Sequence, residues 1–118
     1  MQNYKESRPW GTFENLLDEE TCKVKQIIVR PNQALSYQYH YKRSEVWTII
    51  KGTGIFTIDG EERYAGPGKV FIIPALAKHR IKNTGEKELM FIEVQHGSYF
   101  GEDDIVRLAD DYNRRTDN

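Results

Sequence analysis

Two histidines, a glutamate and a glutamine fall in strand-like stretches of this chain, at spacings that let them share one site. Gln38 and His40 are two apart in an alternating segment, so on a strand their side chains point to the same face. Glu45 follows the tight link Lys42-Arg43-Ser44 and can fold back beside them. His79 opens a later strand-like stretch, after Pro74-Ala-Leu-Ala-Lys. A mixed nitrogen and oxygen donor set of this kind suits one divalent metal, Zn2+ first and Co2+, Ni2+, Mn2+ or Fe2+ as alternatives. Taken singly, each residue has an ordinary reading: two partly buried histidines, a surface amide and a solvated carboxylate. Their joint spacing is what points to a metal open to substrate.

The elements that must position these residues read as strands from about residue 10 to 96. Cys22 to Arg30 alternates and then becomes β-branched, as a half-buried strand does. From Leu35 to Tyr41, the three tyrosines Tyr37, Tyr39 and Tyr41 take one face, and Ser36, Gln38 and His40 the other. Val46 to Ile50 ends at Lys51-Gly-Thr-Gly, and Ile55 to Ile58 leads into Asp59-Gly60, a two-residue hairpin signal. Val70 to Ile73, His79 to Asn83 and Leu89 to Gln95 complete the set. Short strands at near-regular spacing with glycine-rich turns imply an all-β sandwich or closed barrel. Beyond Gly101 the pattern changes. Glu102-Asp103-Asp104 suits a helix N-terminus, and Ile105, Val106, Leu108 and Ala109 could pack a short C-terminal helix. Asp117-Asn118 is expected to fray.

At 118 residues, with 38% hydrophobic and 12% aromatic content, the chain fits a single domain spanning 1–118 with its own core. Seventeen basic against 18 acidic residues give a formal charge of −1, which argues against a nucleic-acid partner. The one cysteine, Cys22, cannot form an internal disulfide and fits a reducing compartment. The sequence begins without an apolar run, and no stretch reaches bilayer-spanning length, so the expectation is a cytoplasmic protein with no membrane partner.

The spacing of the candidate ligands resembles the two motifs of the cupin superfamily, over residues 32–52 and 68–83. The first reads Asn32, five residues, Gln38-Tyr-His40, four residues, Glu45, six residues, Gly52. The second reads Gly68, five residues, Pro74-Ala-Leu76, two residues, His79, three residues, Asn83. Asn32 and Leu76 stand where turn glycines are usual, and Gln38 stands for a histidine. The resemblance implies a cupin-type double-stranded β-helix, or jelly-roll, barrel.

Three stretches narrow this further: Arg8-Pro-Trp-Gly; Tyr37-Gln-Tyr-His40 with Arg43-Ser-Glu45 and Trp47; and Ile92 to Arg107. They resemble type II mannose-6-phosphate isomerases, over a core of about residues 8–114. That domain usually forms the C-terminal part of bifunctional mannose-1-phosphate guanylyltransferases, and in it a glutamine does occupy the first ligand position. No Gly-rich phosphate loop opening a βαβ unit is visible, so nucleotide chemistry is not expected. The resemblance implies interconversion of mannose 6-phosphate and fructose 6-phosphate through an enediolate, with Gln38, His40, Glu45 and His79 holding the metal. It also implies an active-site role for Arg107 and a homodimer. The proton must move between two carbons, and Glu93, set between Ile92 and Val94, is the candidate base, against the reading of a solvent-facing strand residue. The phosphate calls for cations, for which Arg8, Lys25, Arg43 and Lys78 are candidates, with Lys42 and Arg80 behind them. Trp47 reads as core and Trp10 is open between core and site. Two alternatives remain: a non-enzymatic sugar-binding or regulatory cupin, and a metal cupin oxygenase, against which Gln38 argues.

Overall fold

The computed structural model describes residues 4–109. Alternating side chains build eleven strands there: β1 (Lys5–Arg8), β2 (Gly11–Asp18), β3 (Cys22–Val29), β4 (Tyr37–Tyr39), β5 (Arg43–Lys51), β6 (Gly54–Ile58), β7 (Glu61–Ala65), β8 (Val70–Ile73), β9 (His79–Asn83), β10 (Leu89–Gly97) and β11 (Val106–Ala109). They form a six-stranded sheet, ordered β1-β2-β3-β10-β5-β8, and a five-stranded one, ordered β11-β4-β9-β6-β7. Strands remote in sequence become neighbours, as a double-stranded β-helix requires. All pairings between strands are antiparallel.

The inward residues of both sheets meet in an aromatic core. Trp47 stacks on Phe91 with centroids 4.4 Å apart, and Phe56 stacks on Phe71 at 4.1 Å. Trp47 also meets Phe56 edge-on, so the two stacks form one cluster. Ile49, Ile73, Ile81 and Leu89 close around it.

The expected turns hold the strands in register. Asp59 and Gly60 both have positive φ, 46° and 82°, which matches the right-handed twist of the hairpin they join. Asn32 and Leu76 also adopt positive φ, 64° and 74°. The backbone therefore keeps the turn that the glycines of the motif would make. Asparagine tolerates this conformation, whereas leucine adopts it at a cost of about 1–2 kcal/mol.

The expected C-terminal helix is a correction: the described residues contain no helix. Glu102 and Asp103 form a turn, and Val106–Ala109 becomes β11, paired with β4. An open edge of β4 offers backbone hydrogen bonds to this segment, and a single helical turn could not compete with that pairing. The expected end of the core, 110–114, and the expected fraying at Asp117-Asn118 lie outside the described residues.

Candidate metal centre

Strand pairing brings the polar residues of distant segments into adjacent rows. On the five-stranded sheet, Arg107, Gln38 and His79 lie side by side on β11, β4 and β9. On the six-stranded sheet, Lys25, Glu93 and Trp47 form one row and Gln95 and Glu45 part of the next. All of these except Arg107, which is half-buried, are buried. Glu93, only 5% exposed, faces the interior rather than solvent.

His40, Glu45 and His79 converge at the centre. One donor atom from each lies within 4.8 Å of the others. His40 Nε2 is 3.4 Å from Glu45 Oε2, and His79 Nε2 is 3.7 Å from Glu45 Oε1. The far nitrogens are tied back: His40 Nδ1 bonds the Asp104 carbonyl at 2.6 Å, and His79 Nδ1 bonds the Ala77 carbonyl at 2.9 Å. A carbonyl accepts, so both rings carry their proton on Nδ1 and turn an unprotonated Nε2 toward the centre, that of His40 lying 3.2 Å from Arg43 Nη2. His79 Nε2 is buried with no hydrogen-bond partner among the described residues. Aimed lone pairs fixed by bonds from behind are the arrangement a divalent cation needs, so the residues present fit the metal. Gln38 shares the inward face beside His79 and can add an oxygen.

The electrostatics agree. Burial, against the raising effect of Glu45, carries His40 down to about 4, so it is neutral at neutral pH. Burial lowers His79 as well. For Glu45 burial acts upward, but His79, Arg43 and His40 overcome it and hold the carboxylate at about 2. Trp47 Nε1 donates to its Oε1 at 2.9 Å and Arg43 Nε to its Oε2 at 2.7 Å. Glu93 is opposite in sign. Burial first, then the charge of Glu45, pushes it up to about 8, while Gln95 Nε2 donates to its Oε1 at 2.5 Å. Two carboxylates in one site are thus held in different protonation states.

A cavity opens beside this cluster, lined among others by Arg8, Trp10, Lys25, Gln38, Glu93 and Arg107. Three of the four cations expected for a phosphate are therefore here, since Arg43 lines it as well. Lys25 pairs with Glu102 and lies over the Phe13 ring. Lys78 does not line this cavity. It is exposed beside the β6–β7 hairpin, its backbone N–H held by Asp59, because the neighbouring His79 takes the inward direction. Lys42 lies over the Tyr99 ring, and Arg80 faces outward with Lys82, so neither lines this cavity. Trp10 is buried and lines it, whereas Trp47 serves both core and Glu45.

Sequence reasoning missed Asp104. Its carbonyl orients His40, and its carboxylate accepts from the backbone N–H groups of Tyr41 and Lys42 at 3.1 and 2.9 Å. It sits in an acidic run that resembles a helix start, and nothing local distinguishes it from Asp103.

Fold and cluster together define a cupin-type barrel with a candidate metal centre, and comparison with known proteins carries this further. The chain matches the family described as mannose-6-phosphate isomerase C-terminal over residues 1–110, and it belongs to that family. It is 43% identical to a mannose-1-phosphate guanylyltransferase of Salmonella montevideo over 107 residues, which are 91% of this chain and 23% of that protein. The chain thus spans less than a quarter of that relative's length. In fold it is similar to the capsular polysaccharide assembling protein CapF of Staphylococcus aureus, with TM-score 0.80 and 18% identity over 92% of this chain and 33% of that one. It is also similar to the cupin domain of Schizosaccharomyces pombe Cnp3, with TM-score 0.70 and 17% identity over 73% of this chain and 64% of that one.

Proposed function

We propose that the protein is a metal-dependent aldose–ketose isomerase acting on mannose 6-phosphate and fructose 6-phosphate. The observation that carries this reading is the convergence of His40, Glu45 and His79 beside a cation-lined cavity, in a chain of this family. With Gln38 they would hold one divalent ion, Zn2+ first, with Co2+, Ni2+, Mn2+ or Fe2+ as alternatives. A bound ion would supply Lewis-acid charge to neighbouring substrate oxygens.

The remaining work falls to this chain's own side chains. Isomerisation moves a proton between C1 and C2 of the sugar. Glu93 lines the cavity, and its value of about 8 lies close to a neutral working pH, where a carboxyl can both take and return a proton. Glu45 is a poorer base, because Trp47, Arg43 and the ion would occupy its lone pairs. Arg107 offers a planar fork for the oxygen on which charge develops or for the phosphate. Arg8, Lys25 and Arg43 provide the remaining positive charge for the phosphate, and Trp10 a face for the sugar ring.

A second reading, a sugar-binding cupin without turnover, is favoured by one observation: Arg43 bonds two atoms of the cluster. A coupled assay for fructose 6-phosphate formation from mannose 6-phosphate, with and without chelator, separates the two. The isomerase reading predicts turnover that chelator abolishes and metal restores. Bound metal without turnover would leave the binding module.

The reading includes a homodimer. The outward face of the six-stranded sheet carries one apolar cross-strand row, Val24, Val94, Val46 and Ile72, and a mixed one in which Gln26 and Thr48 alternate with Ile92 and Val70. Ile72 is 71% exposed. A solvated antiparallel face is normally polar. At strand spacings of about 4.8 Å the two rows cover roughly 270 Å² per copy, so an interface of about 1,000 Å² in total would extend over the rest of this sheet face. A monomeric mass in light scattering would refute it, and Val94→Lys should dissociate a dimer.

A further inference from the structure

Arg43 occupies an unusual place among the polar residues of the barrel. It lines the cavity, whereas His40, Glu45 and His79 do not. Its Nε donates to Glu45 Oε2 at 2.7 Å, and its Nη2 lies 3.2 Å from His40 Nε2. His40 Nδ1 bonds a carbonyl, so its Nε2 is an acceptor with a single in-plane lone pair. That lone pair can be given to the guanidinium or to a metal, never to both. Glu45 Oε2 has a second lone pair and can keep Arg43 Nε while it binds a metal, so the contest is for His40.

The guanidinium is firmly charged. Burial opposes its charge, but Glu45 first, then Glu93 and Glu102, more than compensate. Its Nη1 is buried and has no hydrogen-bond partner among the described residues. Arg43 is therefore a cation only partly satisfied by the cluster, at the border between cluster and cavity. The cavity carries Arg8, Lys25 and Arg107 as well, a set that attracts an anion with several acceptor oxygens.

We propose that Arg43 is a resident cation that competes with the divalent ion for His40 Nε2 and, once displaced from it, serves as a donor to an anion in the cavity. Metal and anion binding are then coupled through one side chain. Metal entry frees the guanidinium for a phosphate group, and a phosphate group that captures the guanidinium opens the ligands to metal. Linkage makes the effect reciprocal: each ligand raises the affinity of the other by the same factor. The inference rests on reading His40, Glu45 and His79 as a metal site, and adds a role for Arg43 beyond holding phosphate.

The test is a binding measurement. Chelator-stripped protein is titrated with Co2+ against a chromophoric competing chelator, with and without millimolar inorganic phosphate. The proteins are wild type, Arg43→Met, Arg43→Lys and His79→Ala. In the absence of phosphate, Arg43→Met should bind Co2+ about 5- to 150-fold more tightly than wild type, the usual span of a coupling free energy. Phosphate should tighten Co2+ binding to wild type and leave Arg43→Met unchanged, and that variant also controls for phosphate binding Co2+ in solution. Arg43→Lys, which cannot bridge two acceptors as a planar fork does, should bind Co2+ more tightly than wild type, and it carries the test if Arg43→Met fails to fold by circular dichroism. Equal Co2+ affinity in wild type and both Arg43 variants, or the same phosphate response in all, overturns the proposal while leaving the metal site intact. If wild type binds no better than His79→Ala, the metal reading fails and the proposal with it.

Discussion

Phe91 and Glu93 leave β10 toward the same interior, two residues apart, and meet opposite surroundings. Phe91 stacks on Trp47 within a closed aromatic cluster. Glu93 meets Gln95, Glu45 and the charges of Lys25 and Arg43. Trp47 belongs to both regions, its ring packed on Phe91 and its Nε1 bonded to Glu45. Strand alternation places both sets inward with the same geometry, so what differs is energetic. Apolar burial stabilises by about 25 cal/mol per Å² removed from water. Polar burial gains little even when every hydrogen bond is made, and costs heavily when one is lost. One end of the barrel therefore holds the fold, and the other holds the aimed lone pairs and displaced proton affinities on which the proposed chemistry rests.

The sharpest way to separate the ends is Glu93→Gln. It keeps shape and hydrogen bonding, so the fold and bound metal should persist while turnover falls about 10²- to 10⁴-fold. Unchanged turnover in the coupled assay removes Glu93 from the mechanism. At the apolar end, Phe56→Ala should lower unfolding free energy in denaturant by about 3–5 kcal/mol. A loss below about 1 kcal/mol would mean that this end is not where stability resides.

The fold was legible because its signal is local. β3 begins at Cys22 and the Asp59-Gly60 turn forms where the sequence places them. The candidate ligand cluster was legible from spacing, since alternation and two turns suffice to bring His40, Glu45 and His79 together. What was not legible depends on partners remote in sequence. Val106–Ala109 is a strand only because β4 offers it an edge, and Asp104 orients His40 only because β11 carries the loop there. Lys78 and Lys25 look equally suited to phosphate in sequence. Burial and direction tell them apart, and these follow from strand pairing.

The two ends should also differ in their response to pH. Glu93 stands at about 8 against an ordinary 4.5, so its contribution to stability is full below about 4.5 and is lost as pH rises through 8. Glu93→Gln has no proton to lose. Its melting temperature should therefore gain on that of wild type between pH 5 and pH 8.5, and a gap that stays constant would show that Glu93 does not titrate there. The smallest effect lies outside both regions. Leu76 is 55% exposed at positive φ, and Leu76→Gly should stabilise by about 0.5–1 kcal/mol in denaturant unfolding by relieving that conformation. A loss of stability would place a packing role on a side chain that the fold leaves in solvent.

The central claim is that His40, Glu45 and His79, with Gln38, hold a divalent ion. Elemental analysis after loading with Zn2+ and desalting tests it most directly, with wild type and His79→Ala measured side by side. The account predicts about one Zn2+ per wild-type chain and a large loss in the variant, the stoichiometry of a single ligand set. Zinc absent from the wild type, or retained equally by His79→Ala, would contradict it.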